Sequence, residues 1–205
     1  MKKVINLCLM LLPLNVIAQN TDAIIRNIRS EYATIVANKD KYEKVIINVP
    51  PQDLFPFDDE GDQPYIERIV TYHLEGDEIK LISVSSEYTF RDTELEQVEY
   101  YLKNNEVFFM YQQYKREEYP DDYQWETRTT EIEERRIYYD SNQPVKCLIK
   151  KVEGTLLEID SLLQNTTNKE EDCSQMWNIG GSLIYVFHEE NIDVLFECYQ
   201  KHEKK

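Results

Sequence analysis

The stretch Ile69-Val70-Thr71-Tyr72-His73-Leu74, followed by Glu75-Gly76-Asp77 and then Ile79-Lys80-Leu81-Ile82, decides the fold. An aromatic and β-branched run, a polar turn and a second such run is the signature of a β-hairpin, because glycine, asparagine and aspartate accept the backbone angles of a tight turn. The unit recurs. Val98-Glu99-Tyr100-Tyr101-Leu102 passes through Asn104-Asn105 to Val107-Phe108-Phe109-Met110-Tyr111. Ile137-Tyr138-Tyr139 passes through Asp140-Ser141-Asn142 to Val145-Lys146-Cys147-Leu148-Ile149. A fourth copy joins Leu183-Ile184-Tyr185-Val186-Phe187 to Ile192-Asp193-Val194-Leu195-Phe196. Its second limb also fits helical spacing, at Ile192, Leu195, Phe196 and Tyr199, but similarity to the other three units favours a strand. Four hairpins in series favour an antiparallel meander over any βαβ arrangement.

Upstream, Ile25, Ile28, Tyr32, Ile35 and Val36 form a one-sided stripe at helical period, with Asn20 or Thr21 as the predicted cap. Lys44 to Val49 reads as a short strand, and Pro50 to Pro64 as a proline-rich acidic loop. Leu156 to Leu163 is ambiguous between strand and short helix, and Asn165 to Asp172 reads as polar loop. The predicted class is therefore α+β, mostly β: an N-terminal helix packed on an antiparallel sheet of about four hairpins. Fifteen tyrosines and seven phenylalanines against five glycines suit such a sheet.

The chain has 205 residues, enough for one domain. Residues 1–18 read as a secretory signal peptide: Lys2 and Lys3, the apolar run Val4 to Ile17, then Ala18 at the cleavage site. That run is too short to span a bilayer, and Pro13 interrupts it. Cys8 lacks the small preceding residue of a lipid-anchor site. The prediction is a single exported domain over 19–205, periplasmic or secreted from a bacterium, with no membrane span. Acidic residues outnumber basic ones 39 to 23, for a net charge of −16, and loss of Lys2 and Lys3 takes this to −18. A surface so negative repels phosphate backbones, which excludes nucleic-acid binding through a basic footprint.

The motifs of the common secreted hydrolases are missing. His73, His188 and His202 show no HExxH spacing, and Gly180-Gly181-Ser182 lacks the G-x-S-x-G elbow. With so few glycines there is no phosphate-cradling loop, and no cofactor is expected. The sequence therefore predicts no catalytic residue. Asp58, Asp59, Glu60 and Asp62 form a candidate cation cluster, at spacing that fails the EF-hand pattern. Glu117, Glu118, Asp121 and Asp122 make a similar acidic group. Cys147, Cys173 and Cys198 follow the signal peptide, and a Cys173–Cys198 disulfide with Cys147 as a packed thiol is the pairing the sequence favours. Cys173 sits in a polar stretch that a tether would help, whereas Cys147 alternates within an apolar strand.

The helix Ile28-Arg29-Ser30-Glu31-Tyr32-Ala33-Thr34-Ile35 and turns such as Tyr100-Tyr101-Leu102-Lys103-Asn104 resemble a set of secreted proteins of Gram-negative bacteria with an I-R-x-x-Y-x-x-I helix and Y-Y hairpins. The likeness covers residues 20–150, and the cysteine-bearing tail after Gly154 departs from it. It implies a sheet-rich exported domain and no activity.

The functional expectation is a non-catalytic binding protein. Tyr101, Tyr111 and Tyr139 are the candidate contact residues, presenting rings on one sheet face, because exposed tyrosine gives contact area at low entropic cost. The expected partner is a protein with a basic patch, steered by the acidic surface. The alternatives are a periplasmic carrier of an apolar ligand and a carbohydrate-active enzyme with two carboxylates across a cleft.

Overall fold

The computed structural model describes residues 3–49, 65–89, 92–118, 128–175, 195–197 and 199–200. Helix α1 (Lys3–Asn38) leads through a 3-10 turn (Lys39–Lys41) into β1 (Glu43–Val49), β2 (Tyr65–Glu75), β3 (Glu78–Thr89), β4 (Thr93–Lys103), β5 (Glu106–Glu118), β6 (Thr129–Asp140) and β7 (Gln143–Thr155). Helix α2 (Ile159–Asn165), β8 (Lys169–Glu171) and a 3-10 turn (Cys173–Gln175) follow. The eight strands form one antiparallel sheet in chain order, as the hairpin reading requires.

The three central hairpins are built alike. Each has a two-residue turn: Gly76-Asp77, Asn104-Asn105 and Ser141-Asn142. Gly76, both asparagines of the second turn, Ser141 and Asn142 all have positive φ, between 51° and 63°. Glycine takes that conformation without a Cβ clash, and asparagine is the side chain that tolerates it best. Each hairpin also shifts register two pairs from its turn, at His73/Leu74, Tyr101/Leu102 and Tyr138/Tyr139. The shift leaves Lys80, Phe108 and Val145 as the extra residues. Such a bulge re-aims its side chain. Phe108 and Val145 thereby join Phe109 and Tyr138 in the cluster that packs against α1.

Period-two alternation divides the side chains between two faces. On the first, the helix face, Ile25, Ile28 and Ile35 of α1 pack on Leu81, Tyr101, Phe109 and Tyr138. Farther along this face α2 covers Ile132 and Val152 with Ile159. Gly154 permits the approach, since a Cβ there would lie 2.7 Å from Leu162 Cδ1. The opposite face carries the larger core, Val70, Tyr72, Ile82, Tyr100, Leu102 and Ile137 among it. Full burial of side chains this size contributes about 1.5–3 kcal/mol apiece.

Several expectations change. α1 runs unbroken through Asn20 and Thr21, so neither is a cap. β3 and β4 extend well beyond their apolar segments, through Ser85-Ser86-Glu87 and Glu94-Leu95-Glu96, because ladder hydrogen bonds continue where side chains turn polar. Residues 156–158 form a turn and α2 begins at Ile159, which resolves the ambiguous segment. β8 arises in the predicted polar loop; its three exposed residues carry no apolar alternation to reveal it. The fourth hairpin does not hold. Its first limb lies outside the described residues, and Leu195, Phe196, Glu197, Tyr199 and Gln200 are helical. Leu195 and Tyr199, one turn apart, pack on the opposite-face core, and the Tyr72 hydroxyl donates to the Leu195 carbonyl at 2.7 Å.

The disulfide is also corrected. Cys173 pairs with Cys147, not Cys198, with Cα atoms 5.3 Å apart. β8 sets Glu171 opposite Cys147, and the 3-10 turn two residues later brings Cys173 round to it. Cys147 is buried in the core as expected, but as half of the bridge.

Candidate functional site

Among the described residues, two clefts flank α1 on the helix face. One, of about 430 Å3, runs between α1 and the turns of the second and third hairpins and is bordered by Tyr139. The other, of about 530 Å3, gathers more chemistry. α1 supplies Ile28 and Tyr32, one turn apart on the side that meets the sheet, and the exposed Arg29 beside Ile28. The sheet supplies two neighbouring cross-strand rows. Tyr101, Phe109 and Tyr138 pair across β4, β5 and β6, and Phe109 and Tyr138 lie in the cleft floor. Next to them, Glu99, Tyr111 and Arg136 pair across the same three strands. The floor is aromatic: the Tyr32–Phe109 and Phe109–Tyr138 ring centroids are 5.1 and 5.0 Å apart.

The polar row is connected. Tyr111 donates its hydroxyl to Glu134 Oε1 at 2.9 Å, and Arg136 Nη2 lies 3.1 Å from Glu134 Oε2. The Arg136 guanidinium stacks over the Tyr111 ring, 5.6 Å from its centroid, and Nη1 donates to Asn168 Oδ1 at 2.7 Å. Lys150 approaches the same Glu134 at 3.3 Å. Burial pushes the Glu134 carboxyl up, but the Tyr111 hydroxyl, Lys150 and Arg136 outweigh it and hold the group below its ordinary value. Glu99 accepts from Lys39 Nζ at 2.7 Å and from the Tyr101 hydroxyl at 2.6 Å. Burial, then the adjacent carboxylates, push both phenols well above the ordinary tyrosine value, so each stays a neutral donor. Arg29 lies over Tyr138 at 6.0 Å and is exposed; it forms no ion pair with a described carboxylate.

A second polar cluster lies on the opposite face, where Arg68, Ser86, Glu96, Tyr114 and Glu133 form one cross-strand row. Gln112 Nε2 donates to Glu96, and Arg135 Nε donates to Glu133 at 2.6 Å. All five row members are buried. Burial lowers Arg68 to about 10 and raises the Glu96 carboxyl.

The predicted contact tyrosines do not share an exposed face. Tyr101 and Tyr111 point to the helix face and Tyr139 to the other, because Tyr139 alternates with Tyr138, which pairs with Phe109 on the helix face. Tyr101 is 1% exposed and Tyr139 7%, each packed in a core; Tyr111, half-buried, lines the larger cleft. Asp58, Asp59, Glu60, Asp62, Ser182, His188, Cys198 and His202 lie outside the described residues. Among the described residues no three His, Cys, Asp or Glu side chains gather as metal ligands, and no helix is long and apolar enough to cross a membrane. His73 is buried on the helix face; burial and the nearby Lys39 and Lys44 hold its imidazole below the ordinary value of 6.5. Sequence reasoning missed Arg29, Glu99 and Arg136. A usable signal existed: each is a charged residue within two positions of an apolar ring or aliphatic that packs on the helix face.

No family model, no curated protein and no solved structure matches the chain.

Proposed function

We propose that the protein is a non-catalytic exported binding protein whose ligand enters the cleft between α1 and the sheet. The observation that carries this reading is the cleft itself: about 530 Å3, with an aromatic floor and a few convergent polar groups. That size and lining suit a small molecule. The proposal merges the two binding expectations, because the floor is that of a carrier of apolar ligands, while Tyr111 remains from the tyrosine surface. Export rests on Lys2, Lys3 and the apolar run before Ala18, and the Cys147–Cys173 bridge is compatible with an oxidising compartment.

The test is fluorescence titration of the purified protein with N-phenyl-1-naphthylamine, a neutral apolar dye. The dye should brighten on binding, and Arg29→Trp should abolish this by filling the cleft from an exposed position while circular dichroism stays unchanged. Dye binding equal in the variant would place the site elsewhere, and absence of binding would reject the reading.

A further inference from the structure

The cleft has a charge of its own, opposite to that of the chain. Around its polar row stand four cations, Arg29, Lys39, Arg136 and Lys150, against two carboxylates, Glu99 and Glu134. Each carboxylate is already taken up. Glu99 is held by Lys39 and the Tyr101 hydroxyl, and Glu134 is shared among Arg136, Lys150 and the Tyr111 hydroxyl. Of these, Arg29, Arg136 and Glu99 line the cleft itself, an excess of one positive charge in a protein whose net charge is −16. Arg29 is the member without a described acidic partner, and it stands exposed beside the aromatic floor.

We infer that the ligand is a small carboxylate on an apolar body, its body over Phe109, Tyr138 and Ile28 and its carboxylate at Arg29 beside Arg136. This rests on the proposed cleft function and names its ligand class. The physical argument is one of range. At physiological salt an exposed charge is screened beyond ~8 Å, so a small anion inside the cleft feels the nearby guanidiniums and not the distant acidic surface. A polyanion would extend beyond that range and meet the acidic exterior. An amine would face the local cationic excess. Arginine suits the role because its planar fork donates two parallel bonds to a carboxylate and its flat face stacks on rings.

Isothermal titration of the purified protein would use four probes: decanoate, 1-naphthaleneacetate, the neutral decanol and the cationic decylamine. At least one carboxylate should bind about tenfold or more tightly than decanol, and decylamine most weakly, since a charge-assisted hydrogen bond is worth about a factor of ten or more. Arg29→Gln should cost the carboxylate about tenfold more than it costs decanol, whereas Arg26→Gln, an exposed arginine of α1 that does not line the cleft, should leave both unchanged. Arg29 is exposed, so its replacement does not test folding. If decanol matches the carboxylates and Arg29→Gln changes neither, the carboxylate assignment fails while apolar binding in the cleft stands. Equal losses in the Arg26 and Arg29 variants would also overturn it, as general charge attraction. If no probe binds, the cleft reading fails with it.

Discussion

The two faces of the sheet are made of the same strands and behave differently. On the face opposite α1, Tyr72, Ile82, Leu102 and Ile137 are almost fully buried, and the Cys147–Cys173 bridge and the helical residues near the C-terminus pack over them. On the helix face the apolar rows occupy two separate ends, under α1 and under α2. Between them lie Glu99, Tyr111, Glu134 and Arg136; Glu134 joins Tyr111 and Arg136, and Glu99 is held by Lys39 and the Tyr101 hydroxyl. Among the described residues the two helices do not cover an eight-stranded sheet, and the middle they leave is polar. Burial concentrates on one face, and among the described residues the cleft is what incomplete cover leaves on the other.

The comparison is open to attack, and the largest effect is expected in the closed core. Leu102→Ala removes a fully buried side chain and should cost about 2–5 kcal/mol in urea unfolding. A loss below about 1 kcal/mol would show that the core on that face is loosely packed. Next comes the bridge. Replacing both Cys147 and Cys173 by serine opens a link between residues 26 apart in sequence, and the chain-entropy model puts the cost at roughly 3 kcal/mol. An unchanged midpoint would mean that Leu195 and Tyr199 already hold that end of the sheet.

On the helix face the expected effects are smaller. Tyr111→Phe deletes the hydroxyl that donates to Glu134, where Arg136 and Lys150 still serve the carboxylate, so a loss of about 1 kcal/mol is expected. A loss as large as that of Leu102→Ala would erase the distinction between the faces. The smallest effect concerns pH. His73 has a folded pKa below 6.5, so near and below pH 6.5 the unfolded chain binds more protons than the folded one. Stability contributed by neutral His73 is present above pH 6.5 and is lost as pH falls from there toward the folded pKa. Thermal midpoints measured between pH 7 and 5 should therefore fall more steeply in the natural protein than in His73→Gln. Parallel slopes would show that His73 plays no part in the acid sensitivity.

The legible part of the molecule was local. Gly76-Asp77, Asn104-Asn105 and Ser141-Asn142 mark turns by their own conformational preferences, and the alternation on either side marks strands that bury one residue in two. The stripe Ile25, Ile28, Tyr32, Ile35 marks the buried side of α1 for the same reason. The tail was less readable. Lys169-Glu170-Glu171 forms a strand because β7 offers a free ladder edge, not because of anything in the three residues. Leu195 to Tyr199 satisfies two periods at once, and packing against Tyr72 decides for helix.

What the amino-acid sequence determined by itself was the order of hairpins, the helix that precedes them and the acidity of the exterior, since each follows from residue type and spacing within a dozen positions. Only the tertiary structure decided which cysteines meet and which charges converge. Cys147 reaches Cys173 through the pairing of β7 with β8. Arg29, Glu99 and Arg136 come from one helix and two strands, and cross-strand register together with the seat of α1 sets them around one cleft. Register is a property of pairs of strands, and a one-residue slip would send Glu99 and Arg136 to the opposite face. No single segment contains that information.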